Sequence, residues 1–132
     1  MIKLDRPFQL VCIPDYPGLI DDSFDPVVDV RVDLLEPQIR ALAPLRDLFS
    51  SFGLLGSYLE KHTETGARIS LGFRASLLVS STDRTMVWCY EWDGVAPQWL
   101  EVLVDCLEGY HYQVARVRSV EVRDVSRVDR VR

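Results

Sequence analysis

The densest group of side chains with chemical potential is acidic. Asp15, Asp21, Asp22, Asp25, Asp29, Asp33 and Glu36 fall within residues 15–36, against Arg31 alone, so this stretch carries −6. Carboxylates packed this closely can hold a hard cation or meet a basic surface. A calcium loop of the helix-loop-helix type needs carboxylates at alternate positions, a central glycine and a closing glutamate. Asp21-Asp22-Ser23-Phe24-Asp25-Pro26 has none of that order. The expectation is therefore no metal and no cofactor, and either a solvated acidic loop or an acidic surface that steers an oppositely charged protein.

A second group is aromatic. In Met86-Val87-Trp88-Cys89-Tyr90-Glu91-Trp92, the residues Trp88, Tyr90 and Trp92 recur at every second position and share one face of a strand. Such a stripe is either core or an exposed apolar anchor for a partner. A nucleic-acid platform pairs exposed aromatics with basic residues. The net charge here is −5, so nucleic acid is not the expected partner.

Catalytic candidates are few. His62 lies beside Lys61, Thr63 and Glu64, and His111 sits between Tyr110 and Tyr112. No glycine-rich phosphate loop, nucleophile elbow or HExxH motif occurs. Cys12, Cys89 and Cys106 are odd in number, widely spaced and without metal-ligand spacing. They read as free thiols in a reducing cytoplasm. No apolar run reaches the roughly 18 residues of a membrane span.

These residues need elements to position them. The chain of 132 residues, 48% hydrophobic and 27% charged, is expected to form one domain over 1–132, with a tail over 125–132. Residues 8–13 form a short apolar run between Pro7 and Pro14, which suits an edge strand. Residues 15–26 read as a loop. Val28, Val30, Val32 and Leu34 then alternate with Asp29, Arg31 and Asp33, a strand with one apolar and one charged face. Helical spacing follows from Ile39 through Phe52, with a kink or a later start expected at Pro44, candidate stops at Gly53 and Gly56, and a second short helical piece from Leu54 toward His62. Two strands are expected over 67–80 and 85–92, joined by Ser81-Thr82-Asp83-Arg84, with a bulge at Gly72. A helix from Pro97 is expected to be capped by Gly109. A last strand then runs from His111 to about Asp124.

That element order is β, then βαββαβ. It predicts an α+β domain of ferredoxin-like type: an antiparallel sheet, both helices on one face and an extra N-terminal strand. The expected function is that of a small acidic, non-catalytic binding protein. The concrete form is an inhibitor or immunity protein, of the bacterial toxin–antitoxin kind, that neutralises a basic toxin or nuclease. Asp21, Asp22, Asp25, Asp29 and Asp33 would supply charge, and Trp88, Tyr90 and Trp92 an apolar anchor. Two alternatives stand beside it. One is a ligand-binding or catalytic domain built on the aromatic face and His111. The other is a self-associating subunit, a homodimer.

Overall fold

A computed structural model describes residues 5–13, 27–62, 73–92 and 97–125. Its elements are β1 (Gln9–Ile13), β2 (Val27–Leu34), α1 (Ile39–His62), β3 (Phe73–Ser81), β4 (Thr85–Trp92), α2 (Pro97–Gln113) and β5 (Val117–Asp124). The five strands form one sheet in the order β1-β5-β2-β4-β3. Neighbours are antiparallel except for β1, which runs parallel to β5. The fold is thus α+β with a mixed sheet. The parallel neighbour is the extra N-terminal strand, at one edge of the sheet.

Alternation explains the central strands. Val28, Val30, Val32 and Leu34 of β2 are buried, and so are Met86, Trp88 and Tyr90 of β4 and Val120 and Val122 of β5. Their register aligns Val30 with both Trp88 and Val122, so these apolar faces form one surface. Cys12 of β1, opposite Val122, continues it. Helix α1 contributes Ala41, Leu45, Phe49 and Phe52 to the same core, and α2 contributes Leu100, Leu103, Val104, Leu107 and Tyr110. Both helices cover this one face.

The helix ends differ from expectation for identifiable reasons. Helix α1 starts at Ile39 and runs unbroken through Pro44 and Gly53. Pro44 is exposed, on the side away from the core, where water can reach the carbonyl its missing N–H leaves unbonded. Gly53 is retained because α1 lies against β3 there. An added Cβ would meet Ser76 Oγ and stand 2.8 Å from Ser76 Cβ. Helix α2 runs past Gly109 to Gln113. Tyr110 is buried, and its hydroxyl donates to the Ala41 carbonyl of α1 at 2.7 Å, which ties down the extra turn. His111 and Tyr112 therefore belong to α2, not to the last strand.

Strand β3 is bulged twice, between Phe73 and Ala75 and between Leu78 and Ser80. The second bulge is why the alternation blurs at Leu77-Leu78-Val79, since an extra residue shifts the facing of those after it. The expected bulge at Gly72, the strand residues before Phe73, and the tail beyond Val125 lie outside the described residues. The turn at Ser81–Arg84 forms as expected. Thr82 N–H donates to the Thr85 carbonyl at 2.8 Å, and Thr82 Oγ1 accepts from the Thr85 N–H at 3.1 Å.

Candidate functional site

With both helices on one face, no described element covers the opposite face of the sheet. Its central residues follow from the register. Asp29 stands between Cys89 and Arg123, Arg31 between Val87 and Glu121, and Asp33 between Thr85 and Ser119. Glu91 lies opposite Val27. Acid and base alternate along and across β2 and β5. Arg31 pairs with Asp33 at 3.3 Å and Arg123 with Glu121 at 3.6 Å. Val11 and Ile13 on one side and Leu77 on the other flank this charged centre. Among the described residues, four carboxylates stand against two arginines on this face.

Asp33 is the most constrained of them. Its carboxylate accepts hydrogen bonds from the Thr85 hydroxyl at 2.6 Å, the Ser119 hydroxyl at 3.2 Å and Arg31 Nε at 3.3 Å. One side chain thereby links β2, β4 and β5. Burial alone would push the Asp33 carboxyl up. The Thr85 bond, the Arg31 charge and the Ser119 bond outweigh that and hold it below the usual carboxylate value. A depressed folded pKa stabilises the fold above the ordinary carboxylate pKa. That stability is lost as pH falls through the folded value. Acid titration of the melting temperature is the check. Below about pH 4, the wild-type protein is expected to lose stability more steeply than Asp33→Asn. Equal acid slopes would remove Asp33 as the cause.

The described part of the aromatic stripe is not at a surface. Trp88 and Tyr90 are buried under α1. Trp88 stacks on Phe49 with centroids 5.6 Å apart and planes 9° apart, and its Nε1 donates to Ser76 Oγ at 2.9 Å. The Tyr90 hydroxyl donates to the Phe49 carbonyl at 2.6 Å, and burial raises its pKa well above the ordinary tyrosine value. The expectation that Trp88 and Tyr90 anchor a partner is therefore corrected, because satisfying their polar tips inside the core holds them there. The Trp92 side chain and Asp21, Asp22 and Asp25 lie outside the described residues. Of the expected acidic set, Asp29 and Asp33 are described, and both sit on the open face.

Two further features stand out, the second of them at His111, which the ligand-binding alternative invokes. The first is Arg6, whose side chain is only 2% exposed. It meets three carboxylates of α2: Glu101 at 3.1 Å, Asp105 at 2.5 Å and Glu108 at 3.4 Å. These acids sit at intervals of four and three, which puts them on one side of the helix. Burial would lower the Arg6 pKa, and the bond and charge of Asp105, followed by Glu101 and Glu108, reverse this and raise it. With Phe8 buried next to it, Arg6 fastens the segment before β1 onto α2. Only the i, i+4, i+7 acid spacing hinted at this, and it names no partner.

The second is a cleft of about 420 Å³ beside the end of α2, walled by Glu36, Gln38, His111, Tyr112 and Arg116 among others. That volume lies within the range of small-molecule sites. His111 Nδ1 accepts the Val117 N–H at 2.9 Å, so the neutral ring carries its proton on Nε2. Edge contacts with Phe8 at 6.1 Å and Tyr112 at 5.0 Å hold the ring. His111 thus closes the turn from α2 into β5 as well as walling the cleft. His62's side chain lies outside the described residues.

Among the described residues no three His, Cys, Asp or Glu side chains gather as a metal site. Among those residues, too, no helix is long and apolar enough to cross a membrane. No family model, curated protein or solved structure matches this chain.

Proposed function

We propose that this chain is a non-catalytic binding domain of the inhibitor or immunity type, which presents carboxylates on its open sheet face to a basic protein. The observation that carries the reading is the placement of Asp29, Asp33, Glu91 and Glu121 on the face that the helices leave uncovered. In sequence, Asp15, Asp21, Asp22 and Asp25 precede β2 and add to the acidity of this stretch of chain. The flanking Val11, Ile13 and Leu77 would supply apolar contact around a charged centre. Complementary potential of this kind speeds encounter and selects partners by sign. Cys12, Cys89 and Cys106, none of them in a disulfide, support a reducing, cytoplasmic setting. We read β5-β2-β4-β3, with α1 and α2 as crossovers, as a ferredoxin-like unit to which β1 is added; the antiparallel pairing supports that reading.

A second reading is a small-ligand domain centred on His111, and the cleft at the end of α2 favours it. One experiment separates the two. The chain is immobilised, the soluble proteins of its own host are passed over it at low salt, and bound protein is released with a salt gradient. A basic protein is expected, released steeply as salt rises. Asp29→Asn with Glu121→Gln is expected to weaken its binding by about 1–2 kcal/mol, since these carboxylates are partly exposed. His111→Ala is expected to leave binding unchanged. Recovery of no protein, or retention indifferent to the two charge changes, overturns the first reading.

A further inference from the structure

Two connections meet at one end of the sheet. Residues 35–38 lead from β2 into α1, and residues 114–116 lead from α2 into β5. The Leu35 N–H donates to the Arg116 carbonyl at 2.9 Å and the Gln38 N–H to the Asp83 carbonyl at 3.1 Å, which anchors both. The cleft of about 420 Å³ is walled by these connections and the end of α2. Connections held by a rigid scaffold are where binding groups concentrate. The walls carry charges of both signs. Glu36 and Arg116 line the cleft, and among the described residues neither forms an ion pair, with the other or with a third group. The Val114 and Ala115 N–H groups both donate to the Tyr110 carbonyl, which ends α2. The carbonyls of the last turn, at His111, Tyr112 and Gln113, then have no donor within the helix and form its negative end. His111 Nδ1 is taken by the Val117 N–H, which leaves Nε2–H as the ring's donor. Leu35, Tyr112 and Val114 add exposed apolar surface to the same walls.

We propose that this cleft binds a small zwitterion, a free α-amino acid with an apolar or aromatic side chain. Its ammonium meets Glu36 and the last carbonyls of α2. Its carboxylate meets Arg116 and the His111 Nε2–H, and its side chain lies along Leu35, Tyr112 and Val114. Charge selects this class. A ligand that is only anionic satisfies Arg116 but faces Glu36 and the negative end of α2. A ligand that is only cationic satisfies those two and faces Arg116. A molecule carrying both signs meets each with its complement, and a guanidinium suits a carboxylate through two parallel hydrogen bonds. The inference rests on the small-ligand reading of this cleft. It is independent of the protein-binding reading, because Asp29, Asp33, Glu91 and Glu121 do not line the cleft.

The test is an NMR titration of the full chain, following the backbone amides of Glu36, Gln38, Gln113 and Arg116. The titrants are L-phenylalanine, N-acetyl-L-phenylalanine, which lacks the ammonium, and L-phenylalaninamide, which lacks the carboxylate. A protein-free extract of host cells is the fourth. Saturable shifts of these amides by L-phenylalanine are expected, with each of the two single-charge analogues binding at least about tenfold more weakly. Glu36→Gln is expected to weaken L-phenylalanine about tenfold and to leave the N-acetyl compound unchanged. Arg116→Gln is expected to weaken L-phenylalanine as much and to leave the amide compound unchanged. Both side chains are exposed, and both variants keep the backbone bond between Leu35 and Arg116. A single-charge analogue that binds as tightly as L-phenylalanine, or binding of L-phenylalanine indifferent to both variants, overturns the proposal. Shifts of these amides by the extract alone overturn it while the small-ligand reading stands. No shift by any of the four overturns both.

Discussion

Phe49→Ala is expected to lower the free energy of unfolding by about 3–5 kcal/mol, the usual cost of deleting a buried aromatic ring. Phe49 is fully buried at the centre of the α1–sheet contact. Its ring stacks on Trp88 and leans on Tyr90 at 6.3 Å, and its carbonyl accepts the Tyr90 hydroxyl. Alanine keeps the carbonyl and removes the ring, so it leaves a cavity against two large aromatics that cannot both collapse into it. Native domains are stable by only about 5–15 kcal/mol, so this change consumes much of the total. Denaturant unfolding is the measurement. Tyr90→Phe, which removes only the hydroxyl, is the companion and should cost about 1 kcal/mol. A Phe49→Ala loss no greater than that of Tyr90→Phe would mean that the ring does not organise this core.

Gly53→Ala has two opposed effects, and their magnitudes decide the sign. Within a helix, alanine is favoured over glycine by about 1 kcal/mol. Against this, the new methyl would stand 2.8 Å from Ser76 Cβ and 3.4 Å from Tyr90 Cε1. Ser76 Cβ is bonded to the backbone and cannot rotate away. Either β3 shifts or α1 lifts, and overpacking of this kind costs about 1–3 kcal/mol. Lifting α1 would also disturb the Phe49–Trp88 stack and the Trp88–Ser76 hydrogen bond. The net expectation is destabilisation of about 1–2 kcal/mol. Ser76→Gly removes the obstructing Cβ. In a double-mutant cycle it should recover much of the Gly53→Ala loss, beyond additivity. A Gly53→Ala variant more stable than wild type would show that α1 stands further from β3.

How much of this was legible before folding varies with the element. Strand β2 announces itself, because Val28, Val30, Val32 and Leu34 alternate with charges and only one face of such a strand can be buried. The face toward water is then settled as well, and it carries Asp29 and Asp33. The aromatic stripe of β4 is also legible as a stripe. Whether it is core or surface is not, because period two fixes that Trp88 and Tyr90 share a face but not which face the helices cover. The end of α2 was misread. Gly109 is a common helix stop, yet a buried Tyr110 bonded to Ala41 is stabilised by carrying the helix further. That bond joins residues 69 positions apart and leaves no local trace.

The candidate site divides in the same way. Composition and order alone determine an acidic α+β chain with a charged β2 face, since net charge and alternation are local properties of the chain. The tertiary structure decides the rest. Register puts Thr85 and Ser119 on either side of Asp33, which turns one of the expected contact residues into a link among three strands. The descent of α1 and α2 onto a single face buries Trp88 and Tyr90 and leaves the carboxylates outside. Parallel addition of β1, fastened by Arg6 to α2, makes β1 one edge of the sheet, with β3 at the other. Each of these depends on contacts between distant segments, and a local pattern cannot specify which distant segment will supply the partner.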